Sequence, residues 1–477
     1  MQSVYDVAVI GLGPTGAVLA NLLGLAGLDT VVIEREPEPV AEPRAAHFDG
    51  EVMRVFQGLG LMTEIEAQSR PGLQGMHFLS GSGQTLMVRT ASQERGVHGH
   101  YNSWYFHQPE LEHTLRRGLD RFPTVTQLLG AEAVTIDRTN PATGIGLSTN
   151  DGPHRVEAAY IVGCEGGRSL TRRTIDTTST DLGQHQPWLC VDVLLKREVD
   201  LPSHSVQLCD PARPMTMVNM AGNRRRWEIM LMPGDNAEAI TDPDVVWSFL
   251  SRWVSPDDAL IERSAVYTFH SLIADQWRDG NLFLAGDAAH QTPPFLGQGM
   301  CAGIRDAANL AWKLVATIDD GDEARLDTYQ AERRPHVEEF TRLAVKVGEV
   351  IQLTDPVGAT ERDASFARTG PKLFTFPQPV IGGAVEPPVG LPAPQFRNRS
   401  GRLSDDLVGQ RWSVLSDGSQ DHDHDHDHDH DHDHDHKTAV ALTSDEFPLL
   451  ATWLAEHGLA WALVRPDRYV AEVGRRN

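Results

Sequence analysis

Six residues near the N-terminus, Gly11-Leu12-Gly13-Pro14-Thr15-Gly16, constrain this chain more than any others because of what flanks them. Residues 4–10 are short, β-branched and followed by glycine, the pattern of a buried parallel strand. Residues 14–27, rich in Ala and Leu, predict a helix ending near Gly27, and residues 29–34 predict a second apolar strand closing on Glu34. Strand, glycine turn, helix and strand make a βαβ unit, the opening of a doubly wound sheet. In that setting Gly11 permits the tight turn, Gly13 lets the backbone approach a pyrophosphate, and Gly16 lets helix and strand pack closely. The helix start, with Pro14 at its first position and Thr15 giving the first N–H, offers donors and a positive dipole end to the anion. Glu34, with Arg35 beside it, stands where a carboxylate accepts hydrogen bonds from ribose hydroxyls. A dinucleotide is expected, and FAD and NAD are not distinguished by these residues.

At 477 residues the chain is too long for one ordinary core, so two or three domains are expected. The formal charge is −24; eight of the negative charges fall in residues 421–436, leaving −24 + 8 = −16 elsewhere. That balance argues against nucleic acid as a partner, since phosphate binding needs a basic footprint. Cys164, Cys190, Cys209 and Cys301 form no C-x-x-C pair, which suits a reducing cytoplasm and offers neither a disulfide framework nor a zinc spacing, so no metal site is expected. No basic segment precedes the first apolar run, so no signal peptide and a cytoplasmic location are expected. The apolar stretch 7–32 contains five glycines, a proline and Asp29, and reads as buried strand–turn–helix–strand rather than a membrane span.

Further along, residues 50–60 and 108–120 predict amphipathic helices, and 132–162 a β-meander. From 185 to 270 strand-like runs (188–195, 205–208, 215–220, 226–232) separated by Pro, Gly and Asp predict a mostly antiparallel sheet. Helical pattern returns at 299–317 and 323–352. Residues 370–395, rich in Pro and Gly, read as a linker, before strand, helix and strand at 410–416, 445–457 and 460–465.

The cofactor is distinguished by residues 281–314. A predicted strand ends on Gly286-Asp287-Ala288-Ala289-His290, a loop with Pro293-Pro294 follows, and Gly297-Gln298-Gly299-Met300 opens a long helix. Here the chain closely resembles the class A flavoprotein aromatic hydroxylases, the family that includes para-hydroxybenzoate hydroxylase. The resemblance implies FAD, with Asp287 on its ribityl chain and the 297–300 helix start facing the pyrimidine end of the flavin ring, where N–H groups stabilise negative charge. It also carries flavin contacts to Arg44 and Gln108. A third family element usually holds Asp-Gly; this chain has Cys164-Glu165-Gly166.

The fold so implied is α/β: a Rossmann-like, glutathione-reductase-type FAD-binding domain (1–75, 102–180, 276–365), a mostly antiparallel β-sheet substrate domain (76–101, 181–275), a linker (366–395) and a reduced thioredoxin-like α/β segment (396–477). Within the family the chain is most similar to the 3-(3-hydroxyphenyl)propionate hydroxylase group, on residues 43–61, 209–214, 225–234, 266–268 and 465–470. It departs at Ser271-Leu272, where that group has Ala-Arg.

The implied activity is NAD(P)H-consuming hydroxylation of a phenolic ring, ortho to an existing hydroxyl, with O2 as co-substrate and a flavin C4a-hydroperoxide as oxidant. NADH or NADPH binds transiently, since no second fingerprint exists. A base near the phenol accelerates such a step, and water must be excluded. His47, Asp49, Tyr267 and His270 are the candidates for that partner, and Arg213 for clamping a substrate carboxylate. A tailoring hydroxylase of a larger polyphenol or polyketide is the alternative enzyme; a non-oxygenating FAD reductase or redox sensor is the alternative class. A second copy of the chain, as a homodimer, is the one protein partner left open. The strict Asp-His alternation of 421–436 reads as a solvated low-complexity loop.

Overall fold

The computed structural model describes residues 4–39, 44–138, 143–374, 376–382, 386–418 and 439–476; Pro43 and the Asp-His alternation lie outside them. Strands β1 (Tyr5–Ile10) and β2 (Thr30–Glu34) flank helix α1 (Pro14–Leu25) and pair in parallel, Val7 with Thr30 and Ile10 with Ile33. β8 (Val125–Leu129) extends the array beyond β2, and β11 (Gly152–Gly163) and β18 (Leu282–Leu284) extend it beyond β1, all parallel. The strands β9 (Glu132–Asp137) and β10 (Thr143–Thr149) run antiparallel beside β11, and the short β17 (Arg278–Asp279) ends the sheet. Val7, Val9, Val31, Val32, Ile161 and Leu284 are fully buried, because helices cover both faces of a parallel sheet and no polar face is left.

Two short helices, α2 (Gly50–Gly58) and α3 (Met62–Ala67), and the longer α4 (Gln108–Gly118) follow β2, and α5 (Leu170–Ile175) follows β11. Helix α6 (Pro243–Leu250) belongs to the second sheet, while α7 (Gly299–Asp320), α8 (Ala324–Ile351) and α9 (Pro356–Thr369) come after β18. Helix α7 packs along α1, which brings the two glycine motifs to one end of the sheet.

A nine-stranded sheet forms the second layer. Its order is β19 (His290–Gln291), β16 (Ala259–Ala274), β12 (Ser179–Leu195), β15 (Arg224–Met230), β14 (Met215–Asn219), β13 (Ser205–Cys209), β5 (Met76–Ser80), β6 (Thr85–Arg89) and β20 (Lys372–Phe374). All neighbours are antiparallel except β13 with β5 and β6 with β20. One face, with Leu189, Val191 and Trp227, is sealed by Val246 and Leu250 of α6. The opposite, inward face carries Trp188, Phe78 and Met230 against Phe295 and the α8 residues Phe340 and Val347. A small sheet of β3 (His47–Phe48), β7 (Trp104–Tyr105) and β4 (Arg70–Pro71) joins the layers; nothing in the sequence periodicity marked strands so short.

The stretch expected to be a linker, 370–395, is a correction. Lys372–Phe374 adds the last strand of the nine-stranded sheet, and Phe374 and Phe376 pack into its inward core. Pro and Gly flank that strand, and an edge strand tolerates them because one side of its backbone needs no partner. The chain then runs into a four-stranded sheet, β22 (Val440–Thr443), β21 (Ser413–Ser416), β23 (Leu459–Val464) and β24 (Val470–Arg475), backed by the helix Pro448–Glu456. Buried ion pairs fasten this unit to α2 and α8: Arg54 with Asp405 at 2.6 Å and Arg465 with Glu332 at 2.8 Å. Among the described residues no helix is long and apolar enough to cross a membrane, and no group of three or more His, Cys, Asp or Glu side chains could hold a metal.

Candidate active site

The first cleft wall is the N-terminus of α1. Gly11 has φ +95°, and a Cβ there would lie 2.7 Å from the Cys164 carbonyl oxygen; one at Gly16 would lie 2.0 Å from the Gly11 oxygen. Gly13 differs: an added Cβ would meet no atom within 4 Å, and α1 has no side-chain cap. Its first N–H groups therefore face open space, the arrangement that receives a phosphate. Thr15 packs between Gly286 (φ +61°) and Gly303, whose added Cβ atoms would stand 2.7 and 2.3 Å from its Oγ1. Through that contact the fingerprint turn, the Gly286-Asp287 turn and α7 meet.

Helix α7 also begins without a side-chain cap, and an added Cβ at Gly299 would find only the Thr292 carbonyl, at 3.9 Å. Two uncapped helix starts thus open on one cleft. Asp287 lines it: the side chain is accessible although protein surrounds it, and that crowding raises its carboxyl pKa against the pull of His290 and Arg44. Glu34 accepts N–H bonds from Leu12 at 2.6 Å and Glu36 at 2.9 Å, which fixes its carboxylate against the fingerprint turn. Arg44 is exposed, and its backbone N–H, with that of Ala45, donates to Gln108 Oε1 at 2.7 and 2.6 Å; Gln108 therefore positions the Arg44 loop. Arg35 is exposed and pairs with Glu36. Glu165 turns away: its Oε1 accepts from the Thr171 N–H and hydroxyl, anchoring the start of α5.

The loop between β19 and α7 is shaped by buried Pro293 and by Gly297 at φ +65°. Gln298 is buried and accepts from Arg305 at 3.1 Å, so its side chain serves the helix, while half-buried Met300 packs on the core. His47 lies against Gly297. Its Nδ1 is 3.3 Å from the Gly297 oxygen and its Nε2 3.0 Å from Ser103 Oγ. Burial, and then the charge of Arg89, push its pKa to about 3, so the imidazole is neutral.

Asp49 is a correction. It caps α2 through the Val52 N–H and pairs with Arg305 at 2.5 Å; burial pushes its pKa up, but Arg305 outweighs this and holds it at about 2. A carboxylate so engaged is no base for a phenol. Arg213 is a second correction: its fork is filled by Asp235 at 2.6 and 3.2 Å and it stacks on Phe249 of α6, on the sealed side of the sheet. His270 is a third. Period two turns it to the face opposite Phe269, where it bonds His185 at 2.7 Å. Tyr267 stays on the inward face, its hydroxyl accepting from Arg263 at 2.7 Å.

Two inward-facing residues escaped the sequence reading. Glu228 lies in register with Cys190 and Thr216; its carboxylate has no hydrogen bond among the described residues, and the nearest paired cation, Arg226, is 4.0 Å away. Arg89 is buried, with only long contacts to the Leu296 oxygen (3.4 Å) and Tyr105 hydroxyl (3.5 Å). Alternation along 224–230 marked Glu228 as inward with Arg226; nothing local marked Arg89, whose strand is short.

These features define a protein built to hold a flavin dinucleotide against a sheet-walled pocket. The chain belongs to the family described as FAD binding domain, which matches residues 4–344. It is 35% identical to the probable NADH-specific resorcinol 4-hydroxylase of Rhodococcus jostii, over 99% of this chain and 93% of that one. It is 32% identical to a 3-(3-hydroxy-phenyl)propionate/3-hydroxycinnamic acid hydroxylase of Burkholderia cenocepacia, covering 98% and 93% of the two chains. Its fold matches the crystal structure of aklavinone-11 hydroxylase with FAD and aklavinone, at TM-score 0.80, 20% identity and coverage of 99% and 96%.

Proposed function

We propose that this protein is an FAD-dependent, NADH-consuming monooxygenase that hydroxylates a phenolic ring. The observation that carries the reading is the pair of uncapped helix starts, at Gly13 and Gly299, opening on one cleft beside Asp287. Bound FAD would supply hydride acceptance from the nicotinamide and activation of O2. The N–H groups of α1 and Gly13 hold its pyrophosphate, Glu34 its ribose, Asp287 the ribityl chain, and the α7 start the electron-rich end of the ring. His47 lies beside the loop that faces the ring and is the proposed neighbour of the reacting carbon. The chain divides, on this reading, into a Rossmann-like FAD-binding unit, a substrate unit built on the nine-stranded sheet, and a thioredoxin-like unit without redox cysteines.

The relatives' names support the phenol and NADH, and a near-complete overlap with both supports a whole-chain comparison. The test is direct. The purified protein is expected to carry FAD, to oxidise NADH faster when a phenol is added, and to place one atom of 18O2 in the product. Flavin reduction at one slow rate with every phenol, and no label in any product, would sink the reading.

A further inference from the structure

His47, Tyr105 and Arg70 stand in one row across the small sheet. His47 is in register with Tyr105, and Tyr105 with Arg70, and residues directly opposite on antiparallel strands point to one face. The row begins at the flavin loop, where His47 lies 3.3 Å from the Gly297 carbonyl oxygen. Two strand spacings, about 10 Å, carry it to Arg70. The Arg70 guanidinium lies over the Tyr105 ring, 5.3 Å from its centre, and donates from Nη2 to the Asn219 carbonyl. Asn219 pairs in turn with Arg225 across the β14–β15 hairpin. Arg225 donates from Nη1 to the Gly222 and Arg224 carbonyls, at 3.1 and 2.7 Å.

Neither Arg70 nor Arg225 has a carboxylate partner among the described residues, and the Nε of each is buried without an acceptor. Their neighbours on β15 differ: Arg224 is paired with Glu110 and Glu262, both at 3.1 Å, and Arg226 with Asp192 at 2.7 Å. Burial lowers the pKa of both unpaired arginines, and at Arg225 the charge of Arg70 adds to the effect. Buried Arg89, also without a carboxylate among the described residues, brings a third guanidinium to the Tyr105 hydroxyl at 3.5 Å. That hydroxyl accepts from Ser205 Oγ at 2.9 Å, which leaves its own hydrogen to donate. Half-buried like charges are costly to gather unless an anion completes them.

We propose that Arg70 and Arg225 form an oxyanion site at the far end of this row, taking a carboxylate or phosphate group. A guanidinium fork suits either, since it presents parallel N–H donors to two oxygens. A ligand that fills the row from the flavin loop outward ends on this site. Two ligands of the hydroxylase reading carry such a group: the reductant, through its diphosphate, and an aromatic substrate with an acidic side chain. That an oxyanion binds follows from the arginines alone; which ligand brings it rests on the reading above.

The test uses the FAD-loaded protein, so that the flavin itself occupies the fingerprint turn, and begins with inorganic diphosphate. Isothermal titration should show binding that Arg70→Gln and Arg225→Gln each weaken about tenfold or more, the scale of one charge-assisted hydrogen bond, with Arg70→Lys recovering part. The melting temperature of either variant should hold or rise, because each relieves a repulsion. Two further arms assign the source. For the reductant, Arg70→Gln should raise the KM for NADH about tenfold more than that for 1-benzyl-1,4-dihydronicotinamide, which has no phosphate. For the substrate, Arg70→Gln should weaken 3-(3-hydroxyphenyl)propionate about tenfold more than its uncharged amide, read by flavin absorbance. A selective loss for any of the charged ligands supports the site. Equal affinities in parent and variants throughout, or equal losses for charged and uncharged ligands, overturn it. Diphosphate binding that depends on both arginines in a protein that incorporates no oxygen would count against the hydroxylase reading and leave the site standing.

Discussion

Gly13 and Gly16 differ in what a methyl group would touch. At Gly16 a Cβ lands 2.0 Å from the Gly11 oxygen, so Gly16→Ala must push α1 off β1 and is expected to yield little folded protein. At Gly13 the backbone is in the ordinary extended region and a Cβ meets nothing, so Gly13→Ala should fold with a melting temperature within about 2 °C of the parent in the apoprotein. Its FAD affinity should nonetheless fall at least about tenfold, since the methyl occupies the approach of the pyrophosphate. Equilibrium dialysis of FAD against both apoproteins checks this; an unchanged affinity in Gly13→Ala would remove the phosphate from that turn. At this scale the sequence reading was strongest where function needs the backbone, because glycine spacing records backbone approach directly. It was weakest for side chains. His47, Asp49, Tyr267 and His270 carry the same promise as letters; only register and burial show that Asp49 belongs to Arg305 and His270 to the far face.

Helix α7 joins the halves of the cleft through two adjacent charges. Arg305 pairs with Asp49 and Glu51, and Asp306 receives His290 at 2.7 Å, the Gly286 N–H at 3.1 Å and Arg333 at 2.9 Å. Both side chains are buried, so removing either leaves uncompensated charge. Asp306→Ala is expected to cost about 3–5 kcal/mol of stability, read by urea denaturation, and to loosen the Gly286-Asp287 turn enough to lower FAD occupancy. A loss under about 1 kcal/mol would show that water replaces the carboxylate. The elements themselves were largely legible: α7 was expected over 299–317 and runs to Asp320, and β12 was expected from 188 but begins at Ser179. The first half of β12 pairs with β16 at an exposed, polar end, where no apolar alternation reveals a strand. The edge strand β20 was hidden for the same reason, its three residues sitting among prolines and glycines.

Across the whole molecule the buried histidines set the acid limit. Burial first, and then neighbouring arginines, hold His47 and His100 at about 3; at His98, held at about 4, burial is partly offset by Glu51. Their folded pKa values lie below the ordinary 6.5, so the stability they contribute is complete above pH 6.5 and is lost as pH falls toward 4 and 3. Each adds a slope of up to about 1.4 kcal/mol per pH unit. Glu332, which Arg465 and Lys313 hold at about 2 against the effect of burial, adds its loss only below 4.5. Thermal melts should therefore decline from pH 6.5 downward and steepen below 4.5; a melting temperature constant from pH 7.5 to 5 would refute the assignment of neutral buried histidines. Deleting the chain from Glu386 onward should fail to give soluble holoprotein, since it takes Asp405 from Arg54, Tyr469 from Glu51 and Arg465 from Glu332 at once. A folded, FAD-loaded truncation would contradict that docking.

The fastening of the C-terminal unit also bears on inheritance. Arg54 with Asp405, Glu51 with Tyr469 and Glu332 with Arg465 are matched pairs whose members lie 351, 418 and 133 residues apart in the chain. A recombination that exchanged only the tail between two such enzymes would separate lock from key. The tail is not a cassette, and chimeras of this protein should succeed only when positions 51, 54 and 332 travel with it.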